Sequence, residues 1–170
     1  MIQINGHPAI RFQEGELLTF LSAWAKPDSQ TVLAVASSSS VNNDTGFLLG
    51  SSTVRAAYAS FSSGFDARPQ IFKTSDWAAR WGSTVSGWSA WSWGWDESGG
   101  SVTAHVQVDD GTPVDSASYT LEAADNWTGI GGGGSGTTDY LLTEILVVSD
   151  YRTDEQYTDW LAYVADRYGL

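Results

Sequence analysis

The chain has 170 residues, with eight Lys and Arg against twenty Asp and Glu for a net charge of −12, nine tryptophans and no cysteine. That length fits a single domain spanning the whole chain and able to bury roughly two thirds of its unfolded surface. The acidic balance argues against nucleic acid as a partner, because phosphate backbones and anionic lipid repel it, and the missing thiols exclude disulfides, zinc ribbons and thiol nucleophiles.

The opening MIQINGHPAIRF lacks the basic start and apolar stretch of a signal peptide, and no run approaches transmembrane length. Cytosolic synthesis without membrane insertion is therefore expected, and the sequons at Asn43 and Asn126 carry little weight. Ile2–Ile4 and Ala9–Phe12 flank Asn5 and Gly6, a pair that tolerates positive φ and predicts a hairpin. Thr31–Ala36, Gly46–Leu49, Val54–Tyr58 and Gln70–Lys73 read as further strands, with Ser37–Asn43 as a polar loop. In DWAARWGS, Trp77 and Trp81 are four apart, which predicts a short helical turn with both indoles on one side.

In WSAWSWGWD, residues 88–96, Trp91, Trp93 and Trp95 share one face of a strand, and Ser92 and Gly94 share the other. Such a stripe either fills a sandwich interior or stacks sugar rings in a groove. Register decides. A four-residue turn pairing Asp96 with Ser101 puts Trp95 opposite Val102 and Trp93 opposite Ala104, on the apolar side of the next strand; a slip of one residue reverses every side chain. That next strand, Ser101–Asp109, alternates Val102, Ala104, Val106 and Val108 with Thr103, His105 and Gln107, so one side is core. Asp109, Asp110 and Gly111 then turn the chain toward Thr112–Val114. The stretch 129–136 contains a literal GxGxxG, but it precedes a strand instead of opening a helix, so no dinucleotide site is expected.

Tyr140–Val148 is rich in Leu, Ile and Val around one carboxylate, Glu144, as expected of a strand buried on both faces. Helix follows. Thr153 with Gln156 forms a capping box, and Asp154 and Glu155 sit where the helix dipole favours negative charge. Tyr157, Trp160, Leu161, Val164 and Tyr168 make one apolar stripe. Gly169 stops the helix, leaving Leu170 to fold back as a hydrophobic contact. Short β-rich runs with turn signals about every ten residues, plus this single helix, define an all-β sandwich closed by a C-terminal helix.

Catalytic chemistry is not visible. Asp96 and Glu97 are adjacent and point to opposite faces of an extended strand, Asp109 and Asp110 lie in a turn, and Glu144 reads as a carboxylate paired with Arg or backbone N–H. His7 and His105 lack a ligand-spaced partner and read as solvated strand or turn residues. No cofactor is expected. Calcium is the one ion weighed, at Asn42, Asn43 and Asp44 or at Asp125 and Asn126, although neither run has a defined ligand spacing. The ligand candidates are Trp77, Trp81, Asp125, Asn126 and Trp127, loop indoles beside carboxylate and amide groups suited to sugar stacking, with burial under the loops as the plainer reading.

Four segments resemble the concanavalin A-like lectin/glucanase superfamily in its laminin-G-like branch. They are NGHPAIRFQEGELLTF (5–20), WSAWSWGWD (88–96), VQVDDG (106–111) and the closing strand and helix with Glu144 and the Arg-Tyr-Gly-Leu finish. The resemblance implies a jelly-roll sandwich of two antiparallel sheets. It departs from the family in the extra Asp of the hairpin turn, in the indoles where aliphatics are usual, and in DWAARWGS. The same sandwich hosts lectins, hydrolases and adhesion modules, so it does not set the function. The absence of a leader, set beside this resemblance, leads to a non-enzymatic bacteriophage surface module made in the host cytoplasm: a capsid decoration, head fibre or fibre-tip protein. Its expected partners are a capsid or fibre protein and a host-surface glycan, with a homo-oligomer compatible. The alternatives are a stand-alone or excised bacterial carbohydrate-binding domain and a degenerate glycoside hydrolase.

Overall fold

The computed structural model describes residues 2–12, 17–24, 29–41, 45–50, 55–62, 66–73, 76–82, 85, 87–98, 101–116, 127–131 and 138–170. In chain order the strands are β1 (Gln3–Ile4), β2 (His7–Pro8), β3 (Ile10–Phe12), β4 (Leu17–Trp24), β5 (Gln30–Val41), β6 (Thr45–Gly50) and β7 (Arg55–Ser62). They continue with β8 (Asp66–Lys73), β9 (Asp76–Arg80), β10 (Gly87–Ser98), β11 (Ser101–Val108), β12 (Val114–Asp115), β13 (Trp127–Gly131) and β14 (Thr138–Val148), before helix α1 (Asp154–Tyr168). Two six-stranded antiparallel sheets form, β12-β11-β10-β5-β14-β3 and β4-β13-β6-β7-β8-β9, beside the small β1–β2 pair. They pack face to face, with β10 and β11 of the first against β7, β8 and β9 of the second.

Period-two alternation sorts the first sheet into two buried faces. Val32, Ala34 and Ala36 of β5, the three indoles of β10, and Val102, Ala104, Val106 and Val108 of β11 point into the inter-sheet core, where Ala79 and Ile130 of the second sheet meet them. Leu33, Val35 and Ala90 point the other way, onto Tyr157, Trp160, Val164 and Tyr168 of α1. The molecule is therefore layered helix, sheet, sheet, with α1 covering the Leu33, Val35 and Ala90 part of the middle layer's outer face.

The tryptophan stripe belongs to the core. Trp91, Trp93 and Trp95 are 1%, 0% and 3% exposed. The pairing is Trp95 with Ala104, Trp93 with Val106 and Ser98 with Ser101, two residues from the expected register. An even shift keeps every side chain on its face. The indole N–H groups of Trp91 and Trp93 are buried with no acceptor among the described residues. An unpartnered donor costs ~1–3 kcal/mol. Burying an indole of ~200 Å² contributes ~5 kcal/mol, so volume wins.

Local signals hold at both ends. Asn5 and Gly6 take φ of 44° and 80°, the turn between β1 and β2; β3 leaves that hairpin and pairs with β14 through Ile10–Leu142 and Phe12–Tyr140. The capping box at Thr153 and Gln156 is made in both directions, and Gly169 closes α1 at φ 70°. Leu170 is 43% exposed, at the mouth of a concavity it shares with Leu161 and Val164. Asp109 takes φ 47° in the turn after β11.

Three local expectations are corrected. Ser37–Val41 is no loop but the continuation of β5, because β14 pairs with it as far as Thr138–Val41; Asn42 and Asn43 lie outside the described residues. Asp76–Arg80 is strand β9 on β8, and not a helical turn: the ladder overrides the four-residue spacing. β14 is not buried throughout. A bulge at Thr143 separates the pairs Leu142–Ala36 and Glu144–Val35, so Ile145 and Val147 face the core while Leu146 is 47% exposed on the helix side. Gly129 and Gly131 lie in strand β13, so this part of the GxGxxG match opens no helix.

If the stripe is core, Trp93→Ala lowers stability by about 3–5 kcal/mol in denaturant unfolding. Trp93→Phe, which also removes the unpartnered N–H, loses less than half of that.

Candidate functional site

The polar side of the first sheet converges on one residue. β10 presents Ser92 and Gly94, and β11 presents His105 and Gln107, on the face opposite the indoles. Gly94 has no side chain there because the Tyr151 ring lies against it: an added Cβ would come within 3.3 Å of Tyr151 Cε2. The chain leaving β14 is pinned to β5, with Thr31 Oγ1 donating to Asp150 O at 2.9 Å and accepting from Arg152 N at 2.9 Å. This drives Arg152 under the start of α1, where it is 6% exposed.

Each end of the guanidinium is occupied. Nε donates to Ser92 Oγ at 3.0 Å, Nη2 donates to His105 Nε2 at 2.6 Å and to Gln107 Oε1, and Nη1 lies 3.8 Å from Asp154. The Tyr157 ring covers it at 3.9 Å. Arginine is always protonated and only donates, so His105 Nε2 must be the bare nitrogen. The proton of the neutral ring then sits on Nδ1 and is donated to Asp115 Oδ1 at 2.9 Å. Burial holds His105 below its usual 6.5, against the pull of the Asp115 hydrogen bond. Burial also lowers Arg152 and raises Tyr157. His105 is thus a buried network member, 5% exposed. The expectation of a solvated residue fails because α1 and its leader cover the second face of β11. His7 is half-buried, edge-on to Tyr168 at 5.2 Å.

A second cluster holds the far end of the helix. Glu144, turned to this face by the bulge, accepts from Tyr163 Oη at 2.8 Å and Tyr168 Oη at 2.5 Å, with Arg167 Nε 3.8 Å away. Its partners are phenols as well as the expected Arg. Desolvation and the carboxylate push the Tyr163 phenol up to about 12.

Two concavities flank α1. One of about 340 Å³ is lined by Ala90, Asp109, Asp110, Leu161, Val164 and Leu170. The other, about 350 Å³, has Leu33, Leu146, Val148 and Trp160 as its apolar surface and Thr31, Gln156 and Asp159 as polar lining. Both are within the size range of small-ligand sites.

The sequence-derived ligand candidates do not assemble here. Trp77 pairs in β9 with Phe72, and four residues of extended backbone separate it from Trp81 by roughly 13 Å. Trp81 is half-buried against the inter-sheet core, its ring so close to Gly111 that a Cβ there would lie 2.6 Å away. Trp127 opens β13 opposite Trp24; the side chains of Trp77 and Trp127 are outside the described part. Asp125, Asn126 and the calcium candidates Asn42, Asn43 and Asp44 are also outside it. Among the described residues no group of three or more His, Cys, Asp or Glu could hold a metal ion, and no helix is long and apolar enough to cross a membrane. Comparison with protein-family models and with curated proteins gives no match.

Arg152→Ala leaves Ser92, His105 and Gln107 without their shared donor and lowers stability by on the order of 3 kcal/mol in chemical denaturation. Arg152→Lys recovers little of it, because an ammonium cannot reproduce the planar fork. In Glu144→Gln the Tyr163 phenol titrates closer to 10.0, as read by ultraviolet difference spectroscopy.

Proposed function

We propose that this chain is a non-enzymatic surface module of a bacteriophage virion, built on a concanavalin A-like jelly roll. It attaches to a capsid or fibre protein and presents its exposed faces to host glycans. The observation that carries the non-enzymatic part is the fate of the His105 and Asp115 pair, and the virion part rests on the resemblance of the four sequence segments. His105 is hydrogen-bonded to Asp115, and Arg152 bridges it to Ser92: one guanidinium takes both the bare imidazole nitrogen and the serine oxygen. A general base needs that lone pair free; here it holds a helix to a sheet. The β-rich architecture with one closing helix is compatible with the laminin-G-like resemblance of the four sequence segments. The net charge of −12 favours protein or sugar partners over nucleic acid.

Mass spectrometry of purified particles from the phage that encodes the chain tests the reading, with the chain expected in intact virions after density-gradient purification. Its absence from the particle ends the virion assignment. For the glycan part, a glycan array is probed with the native chain and with Trp77→Ala and Trp127→Ala. Binding that both variants retain clears those two indoles of any role.

A further inference from the structure

The contact between Arg152 and His105 is conditional on protonation, because a permanent cation donates a hydrogen bond to the one atom of the imidazole that acid would protonate. The surroundings of that ring come from five elements. β12 supplies Asp115, hydrogen-bonded to Nδ1. β10 and β11 supply the neutral Ser92 and Gln107, which hold Arg152 in position. The leader to α1 supplies Arg152 and the Tyr151 ring, edge-on to His105 at 5.7 Å, and α1 supplies Asp154 beside the guanidinium and Tyr157 over it. Asp115 and Asp154 attract a proton to His105; Arg152 and burial oppose it, and burial is the largest influence.

We propose that this contact is an acid-operated latch: a proton from solvent, bonding to His105 Nε2, breaks the hydrogen bond from Arg152 and loosens the first turns of α1 from the sheet, while Thr31 keeps the leader backbone on β5. With Nε2 carrying hydrogen, two donors and two positive charges face each other at 2.6 Å, so the guanidinium must leave its site between Ser92 and Gln107. Tyr157, which covers that guanidinium, is then held on this side by its hydroxyl hydrogen bond to Asp109 O at 2.9 Å. The far end of α1 stays fastened by Glu144 to Tyr163 and Tyr168 and by Asn5 Nδ2 donating to Arg167 O at 3.2 Å. Acid therefore loosens the first turns of the helix and uncovers Leu33, which lies beside Gln156 and Trp160. The inter-sheet core holds no titratable side chain among its described members and stays closed. The direction follows from linkage. Burial makes the latched form bind the proton less readily than the open form, so the closed state is favoured at neutral pH and loses ground as pH falls, by up to about tenfold per pH unit until the latched ring itself titrates. The latch stands independently of the virion assignment.

Amide hydrogen exchange between pH 7.5 and pH 5, corrected for its intrinsic pH dependence, reads the opening directly. Amides from Tyr157 to Trp160 are expected to lose protection below pH 6.5 while those of β5 and β10 keep theirs. In His105→Gln, whose amide can still donate to Asp115 and accept from Arg152 without titrating, that protection is expected to stay flat. Equal acid opening in His105→Gln, no opening in the native chain, or simultaneous loss across α1 and both strands overturns the latch. If His105→Gln does not fold, imidazole nitrogen spectra of the native chain replace it. They are expected to show hydrogen on Nδ1 at neutral pH and protonation of His105 in step with helix opening; protonation that leaves the helix amides protected overturns the proposal.

Discussion

A guanidinium buried under the start of a helix is the contact on which the outer layer depends. The apolar stripe of α1 would sit on any apolar sheet face, but the face offered by β10 and β11 carries Ser92, His105 and Gln107. Covering these with hydrocarbon alone would leave several buried polar groups unsatisfied, each at ~1–3 kcal/mol. Arg152 answers all three from one planar group, and Tyr157 closes over it. Ser92, His105, Gln107 and Arg152 are all buried, so the position of the helix is specified as well as stabilised.

The second constraint is parity. Each strand of the first sheet has two faces with different duties, and one residue of slip would exchange them. β10 sets the pattern with the greatest contrast available to a protein, indoles on one side and Ala90, Ser92 and Gly94 on the other. β14 uses the opposite device: its bulge at Thr143 changes the parity midway, so Leu142 can serve the core while Glu144 reaches the tyrosines of α1. The same strand thus holds both layers together.

Among the described residues the polar network of Ser92, His105, Gln107 and Arg152 lies on the helix side, where it joins elements far apart in sequence. Ser92 and Arg152 are sixty positions apart, and Thr31 and Asp150 are 119 apart. A protein built this way has a double sheet and a covering layer whose first turns are held in part through one imidazole. Surface properties can change there without disturbing the core.

Local signals were sufficient for the hairpin at Asn5 and Gly6, for the helix with its capping box and αL glycine, and for the alternation of β10 and β11, because backbone preference and side-chain period act between near neighbours. They misled at Ser37–Val41 and at Trp77–Trp81, where a polar run and a four-residue spacing gave way to the ladders with β14 and β8. Nor could they show that His105 is buried, since that requires knowing that the leader to α1 folds back onto β11. The chain alone determined which residues form strands with one apolar face and how its last helix starts and stops. Tertiary structure decided what covers the other face, because a polar side chain becomes an interior one only when a distant segment, here Tyr151 and Arg152, arrives with its hydrogen-bonding partner.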